Sequence, residues 1–413
     1  MPDCDCDRPQ ADMLSVESAR ERLLAGARVV GDIQGVPLVE GHGRVLAEAL
    51  VSAVDVPPHD NSAMDGYAVH SADLGAEAEV RQPVVQTISA GAVGAALAAG
   101  CAARIFTGAP IPPGADAVVM QERCRVDGDG VIIRGPVRAG AHIRRAAEDI
   151  AVGQTILAPG RRLRAQELGL AASVGCGTLP VYRRPRVAMF FTGDELVEPG
   201  TTPRPGQIYD SNRYTLAGLL DGLGCEVVDL GVVADTLEAT RATLQAAALE
   251  ADMVVSTGGV SVGEKDYVRL ALTELGKLDL WRIRVKPGKP LAFGRVGETP
   301  FIGLPGNPVS MFATFCLFVA PFLKRMSGIE QVLSRPQRVA AGFEWPQAGG
   351  RREFLRARLA HGENGAVEAE IHPHQGSGVL TSTVWADGFV EVPEGTVVKH
   401  GDRVDYHPFE GLL

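Results

Sequence analysis

An excess of positive charge is missing from this 413-residue chain: 40 Lys and Arg stand against 50 Asp and Glu, a net charge of -10. That balance argues against a general attraction to nucleic acid or to an anionic membrane, either of which would need a local basic patch. A secretory leader is missing as well, because residues 1–13 are acidic and polar with no apolar h-region; they read as a disordered tail. The longest apolar run, 309–323, is interrupted by Ser310, Thr314 and Pro321. It falls short of the roughly 20 residues that span a bilayer and reads as a core helix. Seven cysteines with no C-x-x-C spacing support neither a disulfide framework nor a zinc ribbon, and they suit a reducing compartment. Cys4 and Cys6 supply only half a tetrahedral metal site, and no function is drawn from them. No period of roughly 20 to 50 residues recurs, which disfavours a solenoid or a propeller. These absences leave a soluble, cytoplasmic protein with about three domains' worth of chain.

What is plentiful is punctuation. The 49 Gly and 27 Pro exceed their usual combined share of about 12% and predict many turns. Ser15 as N-cap, followed by acidic Glu17, opens a helix over 15–28 with Val16, Ala19, Leu23 and Leu24 at helical spacing. Residues 55–145 read as a compact β-rich domain, its short β-type runs alternating with Gly, Pro and Asp turns; the Ala- and Gly-rich stretch 89–100 reads as one of its loops. Residues 14–54 and 146–180 flank it as an N-terminal helical and linking domain. Within 181–330, strands at 187–191, 226–230, 252–256, 280–285 and 301–304 alternate with helices at 211–223, 236–249, 264–275 and from 309 onward. That rhythm predicts a central doubly wound, mostly parallel α/β domain covered on both faces. Residues 331–413 return to short alternating runs and predict a C-terminal β-barrel or sandwich. The fold class is α/β and β multidomain.

Open α/β sheets bind ligands beyond the carboxyl ends of their strands. The strand ending at Val255 leads into Ser256-Thr257-Gly258-Gly259-Val260-Ser261-Val262-Gly263 and then a helix bearing Asp266. Closely spaced glycines let main-chain N–H groups approach an anion, and a helix start favours negative charge. Gly258, Gly259, Ser261 and Gly263 thus read as a phosphate cradle, with a ligand-free βα turn as the plain alternative. The loop matches neither G-x-x-x-x-G-K-[ST] nor G-x-G-x-x-G, which disfavours a P-loop NTPase and a dinucleotide-dependent dehydrogenase. Glu195 and Asp235 follow the first two strands. With Asp266 they offer oxygen ligands from separate loops, as Mg2+ requires when substrate phosphate completes its shell. Singly, each acid is equally a helix N-cap or a first-turn carboxylate. Lys286-Pro287-Gly288-Lys289-Pro290 sets two lysines on a stiff turn, suited to an oxyanion, with solvated surface lysines as the alternative. Gly303 to Ser310 forms a further loop opening onto a helix. The turn Asp60 to Ala68 decides nothing by composition. Arg144-Arg145 and Arg161-Arg162-Arg164 suit anion binding or dimer contacts, against a solvated basic face.

Taken in order, Asn61-Ser62-Ala63-Met64-Asp65-Gly66-Tyr67-Ala68, Thr107-Gly108-Ala109-Pro110, Glu148-Asp149-Ile150, Thr192-Gly193-Asp194-Glu195-Leu196, the 258–263 loop, Lys286 to Pro290 and Gly303 to Pro308 resemble the molybdopterin molybdenumtransferase family, which includes bacterial MoeA and the E domain of gephyrin. The match covers nearly the whole chain after about residue 13. The resemblance implies a central domain of the molybdopterin-binding type and the last step of molybdenum cofactor assembly. In that step molybdate enters adenylylated molybdopterin with release of AMP, in a Mg2+-dependent reaction. It further implies a cytoplasmic homodimer, with the active cleft between the α/β domain of one subunit and the C-terminal domain of the other, and an upstream molybdopterin adenylyltransferase as supplier.

By the same resemblance the functional acids look like Asp65, Asp149, Glu195, Asp235 and Asp266, with Thr107 beside them. Glu195, Asp235 and Asp266 would hold Mg2+ and face solvent in the cleft. The molybdate pocket looks like Lys286, Lys289, Pro290 and Ser310, joined by Arg351 and Ser377 from the terminal domain; a one-residue shift would exchange Arg351 for Arg352, and Ser377 carries the same ambiguity. Phe191 stands where the family often has a small Ser and would narrow the pocket's edge. Two other readings compete. A partner-holding scaffold would need neither the acids nor the lysines, and the related adenylyltransferase is a single small domain without flanking β segments.

Overall fold

The computed structural model describes residues 13–259, 266–288, 290–362 and 365–413. The first helix, Val16–Gly26, starts as its sequence dictates, the Ser15 hydroxyl accepting the Ser18 N–H at 3.1 Å and satisfying an orphan donor. Its buried face, Val16, Ala19 and Leu23, joins the core of the α/β domain. Strand Ile33–Pro37 pairs antiparallel with Thr178–Tyr182, so the chain enters and leaves the β-rich segment at one place. That segment carries a six-stranded sheet running from Gly66–Val69 to Gly130–Arg134 in sequence, closed over Tyr67, Val69, Ala117 and Ile133. Residues 89–100 connect its strands without regular structure of their own.

The α/β domain follows in the order β1 (Arg186–Thr192), α1 (Ser211–Gly222), β2 (Glu226–Val233), α2 (Leu237–Glu250), β3 (Met253–Thr257), α3 (Tyr267–Leu275), β4 (Gly276–Arg282), β5 (Pro290–Val296), β6 (Thr299–Leu304) and α4 (Pro308–Met326). Side-chain oxygens of Asp210, Thr236 and Asp266 cap α1, α2 and α3. The sheet runs β2-β1-β3-β6-β5-β4. Its first four strands are parallel, whereas β5 and β4 are antiparallel neighbours at one edge. The edge differs from the sequence reading in two ways: the strand expected at 280–285 lies at Gly276–Arg282, and β5 was not foreseen. β5 begins with Pro290 and carries Gly294, both signals of a break. Gly294 is required here because a Cβ would lie 2.5 Å from Lys277 O across the ladder.

Helix α4 is the domain's hub. It is 19 residues long with mean hydropathy 1.4, sufficient by length and composition to cross a bilayer, yet 83% of it is buried inside the protein. The core-helix reading holds. Phe315, Phe318 and Phe322 are fully buried, each contributing roughly 1.5–3 kcal/mol of apolar burial. Beyond it, strands Arg352–His361, Val367–Ile371, Gln337–Ala341, Arg403–Pro408 and Gly388–Val392 pair in that order, and the last returns to the first. The result is a closed five-stranded barrel filled by Val339, Leu355, Val390 and Tyr406. The short strand Val285–Lys286 leaves the α/β domain to pair with the barrel, Val285 opposite Arg352 and Lys286 opposite Glu353.

Candidate active site

The connection from β1 goes to β2 on one side, and the next returns to β3 on the other, so the crevice between the ends of β1 and β3 is a topological switch point. There Gly258 and Gly259 take left-handed conformations (φ +84° and +63°) and fold over the end of β1. A Cβ on Gly258 would lie 2.8 Å from Thr192 O, and one on Gly259 would lie 2.6 Å from Val268 Cγ2. No other residue fits this close approach without strain. The Gly258 N–H is already donated to Leu304 O at 3.2 Å, so the cradle has one amide fewer than the sequence suggested. Ser261 and Gly263 lie outside the described residues.

Facing this loop is the Lys286-Pro287-Gly288 turn. Lys286 Nζ pairs with Glu353 Oε2 at 3.0 Å. Gly288 has φ +105°, and any Cβ there would run into Thr314 Oγ1. Helix α4 contributes its start: Pro308 occupies the first turn, Ser310 is buried, and Asn212 Nδ2 fixes the preceding loop through Gly306 O at 2.8 Å. The barrel comes to the same place, because the Val309 N–H donates to Ser377 O at 3.0 Å. Together these segments enclose a cavity of about 540 Å³ whose lining includes the expected Gly258, Gly259, Lys286, Pro290, Ser310, Arg351 and Ser377. Lys289 lies outside the described residues. Two cationic side chains, two hydroxyls and the N-terminal end of a long helix suit an oxyanion.

The cavity is built within one chain. The barrel that lines it with Arg351, Gln375, Gly376 and Ser377 belongs to the same chain as the α/β domain, since Val285–Lys286 stitches the two together within one chain. The adjacent arginines differ in their surroundings. Arg352 is engaged with Glu17, with Glu391 at 3.2 Å and with Glu394 at 3.3 Å, whereas Arg351 lines the cavity.

None of the five expected acids is among the residues lining the cavity. Asp65 sits in the β-rich segment, where one oxygen accepts both the Thr107 N–H (2.8 Å) and the Thr107 hydroxyl (2.9 Å). Those two donors, main chain first, hold its carboxyl below the usual range. Asp149 is exposed in the loop that leaves that segment. Glu195 is exposed just beyond β1 and folds back over Gly193, whose Cβ position is 2.6 Å from Glu195 Oε2, beside the Thr192 contact with Gly258. Asp235 follows β2 and is half-buried. Asp266 does not face solvent as expected. It is 4% exposed and caps α3 by accepting the Arg269 N–H at 2.9 Å, because a helix with a buried start needs its first donors satisfied.

Glu195, Asp235 and Asp266 do not close into the expected metal-holding trio: among the described residues no three His, Cys, Asp or Glu stand together as such a group. Phe191 also corrects its expectation. It is fully buried in the core beneath the sheet and does not reach the cavity's edge.

The sequence reading missed Arg356. Its Nε donates to Ser382 Oγ (3.0 Å), and one Nη donates to His374 O (3.3 Å) and Gly376 O (3.2 Å). It is 1% exposed with no carboxylate among its described partners, and burial pushes its pKa down to about 10. Gln375 completes the clamp, accepting the Arg356 N–H and donating to Arg356 O. The stretch that lines the barrel side of the cavity is thus hung on one buried guanidinium.

A parallel-cored α/β domain with an oxyanion cavity at its switch point, completed by a barrel, defines an anion-handling α/β protein. Comparison with known proteins narrows this. Residues 14–175 match the MoeA N-terminal region (domain I and II), residues 188–325 a probable molybdopterin binding domain, and residues 338–409 the MoeA C-terminal region (domain IV). The chain is 37% identical to the molybdopterin molybdenumtransferase of Haemophilus influenzae over 97% of its own length and 100% of that protein's. It is 42% identical to the Nostoc sp. molybdopterin molybdenumtransferase over 72% of its length and 70% of that protein's. The crystal structure of the molybdopterin biosynthesis MoeA protein from Pyrococcus horikoshii superposes with a TM-score of 0.84 at 32% identity, covering 96% of this chain and 100% of that one. The chain belongs to the molybdopterin molybdenumtransferase family.

Proposed function

We propose that this protein inserts molybdate into adenylylated molybdopterin with release of AMP, the closing step of molybdenum cofactor assembly. The observation that carries the reading is the cavity itself, where Lys286, Arg351, Ser310 and Ser377 converge from two domains on a space of about 540 Å³. Lys286 and Arg351 supply the charge that draws in a tetrahedral dianion. The hydroxyls of Ser310 and Ser377 and the α4 start give it direction. Glu353 holds Lys286 by its ammonium and limits how far that charge swings before substrate arrives. The Gly258-Gly259 loop, stripped of side chains, lets the larger substrate approach the main chain closely.

Mg2+ dependence belongs to this reading through family membership. Among the described residues no three acids stand together as a site for the ion, so no step is derived through it. A cytoplasmic homodimer supplied by a molybdopterin adenylyltransferase is part of the same proposal. By the resemblance Asp65 and Thr107 act on substrate; neither lines the cavity of its own chain, so in this proposal a second subunit presents them.

The test is to incubate the purified protein with adenylylated molybdopterin, Mg2+ and molybdate and to measure AMP and active cofactor. AMP release dependent on molybdate is expected. Lys286→Ala is expected to raise the molybdate half-saturation about ten-fold, the loss of one charge-assisted contact. Equal AMP release with and without molybdate would overturn the assignment.

A further inference from the structure

The arginine run Arg161-Arg162-Arg164 finds no use at the active cavity, and its placement is specific. A second cleft, of about 550 Å³, lies where the linking segment meets the end of α4 and the stretch after it. It shares no lining residue with the active cavity. Five cationic side chains line it, Arg161, Arg162, Arg164, Lys324 and Arg335, against one acid, Glu330, in a chain whose net charge is -10. The walls are in tight contact: a Cβ on Gly160 (φ +75°) would lie 2.9 Å from Gly328 O.

The cations fall into two sets. Arg161 and Arg164 both close on the buried carboxylate of Glu167, at 2.6 and 2.7 Å, and Glu167 neutralises only part of that pair. Arg162 donates to Gly222 O at 3.0 Å, and Lys324 to Gly411 O and Leu412 O at 3.3 and 3.0 Å. Carbonyls orient a cation without cancelling its charge. Among the described residues no ion pair reaches Arg162, Lys324 or Arg335. Burial pushes Lys324 down to about 8, and the neighbouring Arg162 charge adds to the shift.

We propose that this cleft is a second anion site, which takes a small multiply charged phosphate, a diphosphate or a phosphate monoester, between Arg162, Lys324 and Arg335. Three separated cations exceed what one carboxylate can neutralise, and guanidinium forks match phosphate oxygens two at a time. A bound phosphate relieves the repulsion between Arg162 and Lys324 and ties the linking segment to the end of α4.

Titration calorimetry of the full chain with inorganic pyrophosphate, without Mg2+, tests this independently of cofactor synthesis. A saturable heat is expected, weakened about ten-fold or more in Arg162→Ala/Arg335→Ala and retained in Lys286→Ala. Both arginines reach the surface, so the double variant keeps its core. No heat at millimolar pyrophosphate overturns the proposal, as does binding indifferent to the double variant. Loss of binding in Lys286→Ala would place the anion in the active cavity instead. A change in subunit association of the double variant by sedimentation would make the cleft a contact between copies, and would likewise overturn it.

Discussion

Replacing Arg356 by Met separates what a buried cation does for the barrel from what it does for the cavity beside it. Three side-chain hydrogen bonds would be lost, to Ser382 Oγ, His374 O and Gly376 O. At about 1.5 kcal/mol each for a charged donor they sum to roughly 4–5 kcal/mol. Met also removes the cost of keeping a charge out of water. The fall in pKa to about 10 puts that cost at roughly 3 kcal/mol. The net destabilisation is about 1–2 kcal/mol, a modest drop in thermal midpoint. The larger effect falls on position, because the loop carrying Gly376 and Ser377 loses both carbonyl tethers. We expect the molybdate half-saturation of Arg356→Met to rise about ten-fold, equivalent to about 1.4 kcal/mol, while the turnover rate at saturation changes little. Arg356→Lys keeps the charge but not the fork and is expected between the two. Thermal unfolding with steady-state molybdate dependence reads both quantities. An unchanged half-saturation in Arg356→Met would refute the reasoning, whatever happened to stability.

Two further outcomes follow from neighbouring charges. Arg351→Ala is expected to weaken molybdate dependence and leave the thermal midpoint nearly unchanged, whereas Arg352→Ala, which removes the cation shared by Glu17, Glu391 and Glu394, should cost about 1–3 kcal/mol of stability without altering half-saturation; the opposite pattern would reverse the two roles. Glu167 is held down to about 2, chiefly by hydrogen bonding from Arg164 and then from Arg161, with burial opposing them. Its lowered pKa stabilises the folded state fully above about pH 4.5 and progressively less as pH falls towards about 2. Glu167→Gln should thus melt lower than the parent by about 1–3 kcal/mol at pH 7, after discounting for the half-exposed arginines, and the gap should close between about pH 4.5 and 2. A gap that persists at pH 2 would show that the loss is one of packing.

Much of the architecture was readable because strand-turn-helix punctuation is local chemistry. Ser15 and Thr236 act on residues three away, and they stand where the pattern predicts them. The cavity-lining residues Lys286 and Ser310 were legible through their loops, and Ser377 only through the family resemblance. What the pattern hid is long-range. β5 begins on a proline and contains a glycine, so its strand character comes from pairing with β4 on one side and β6 on the other. Arg356, in a run of alternating polar and apolar residues, reads as a solvated strand position until the barrel closes over it. Asp266 carries an acid signal that is equally a cap signal, and burial at the start of α3 makes it a cap. A sequence window could not tell which of Arg351 and Arg352 turns inward, since that depends on acids up to 335 positions away.

The short parallel pairing of Val285–Lys286 against the barrel makes the oxyanion receptor a joint rather than a pit. One wall is sewn to the other through Lys286, which also lines the space between them, and the Val309–Ser377 bond adds a second stitch. Rotation of the barrel therefore pulls on the receptor directly. A molecule seated there acts as a rivet, so ligand occupancy should stiffen the two-domain unit as a whole, and segments remote from the pocket should share in that rigidity.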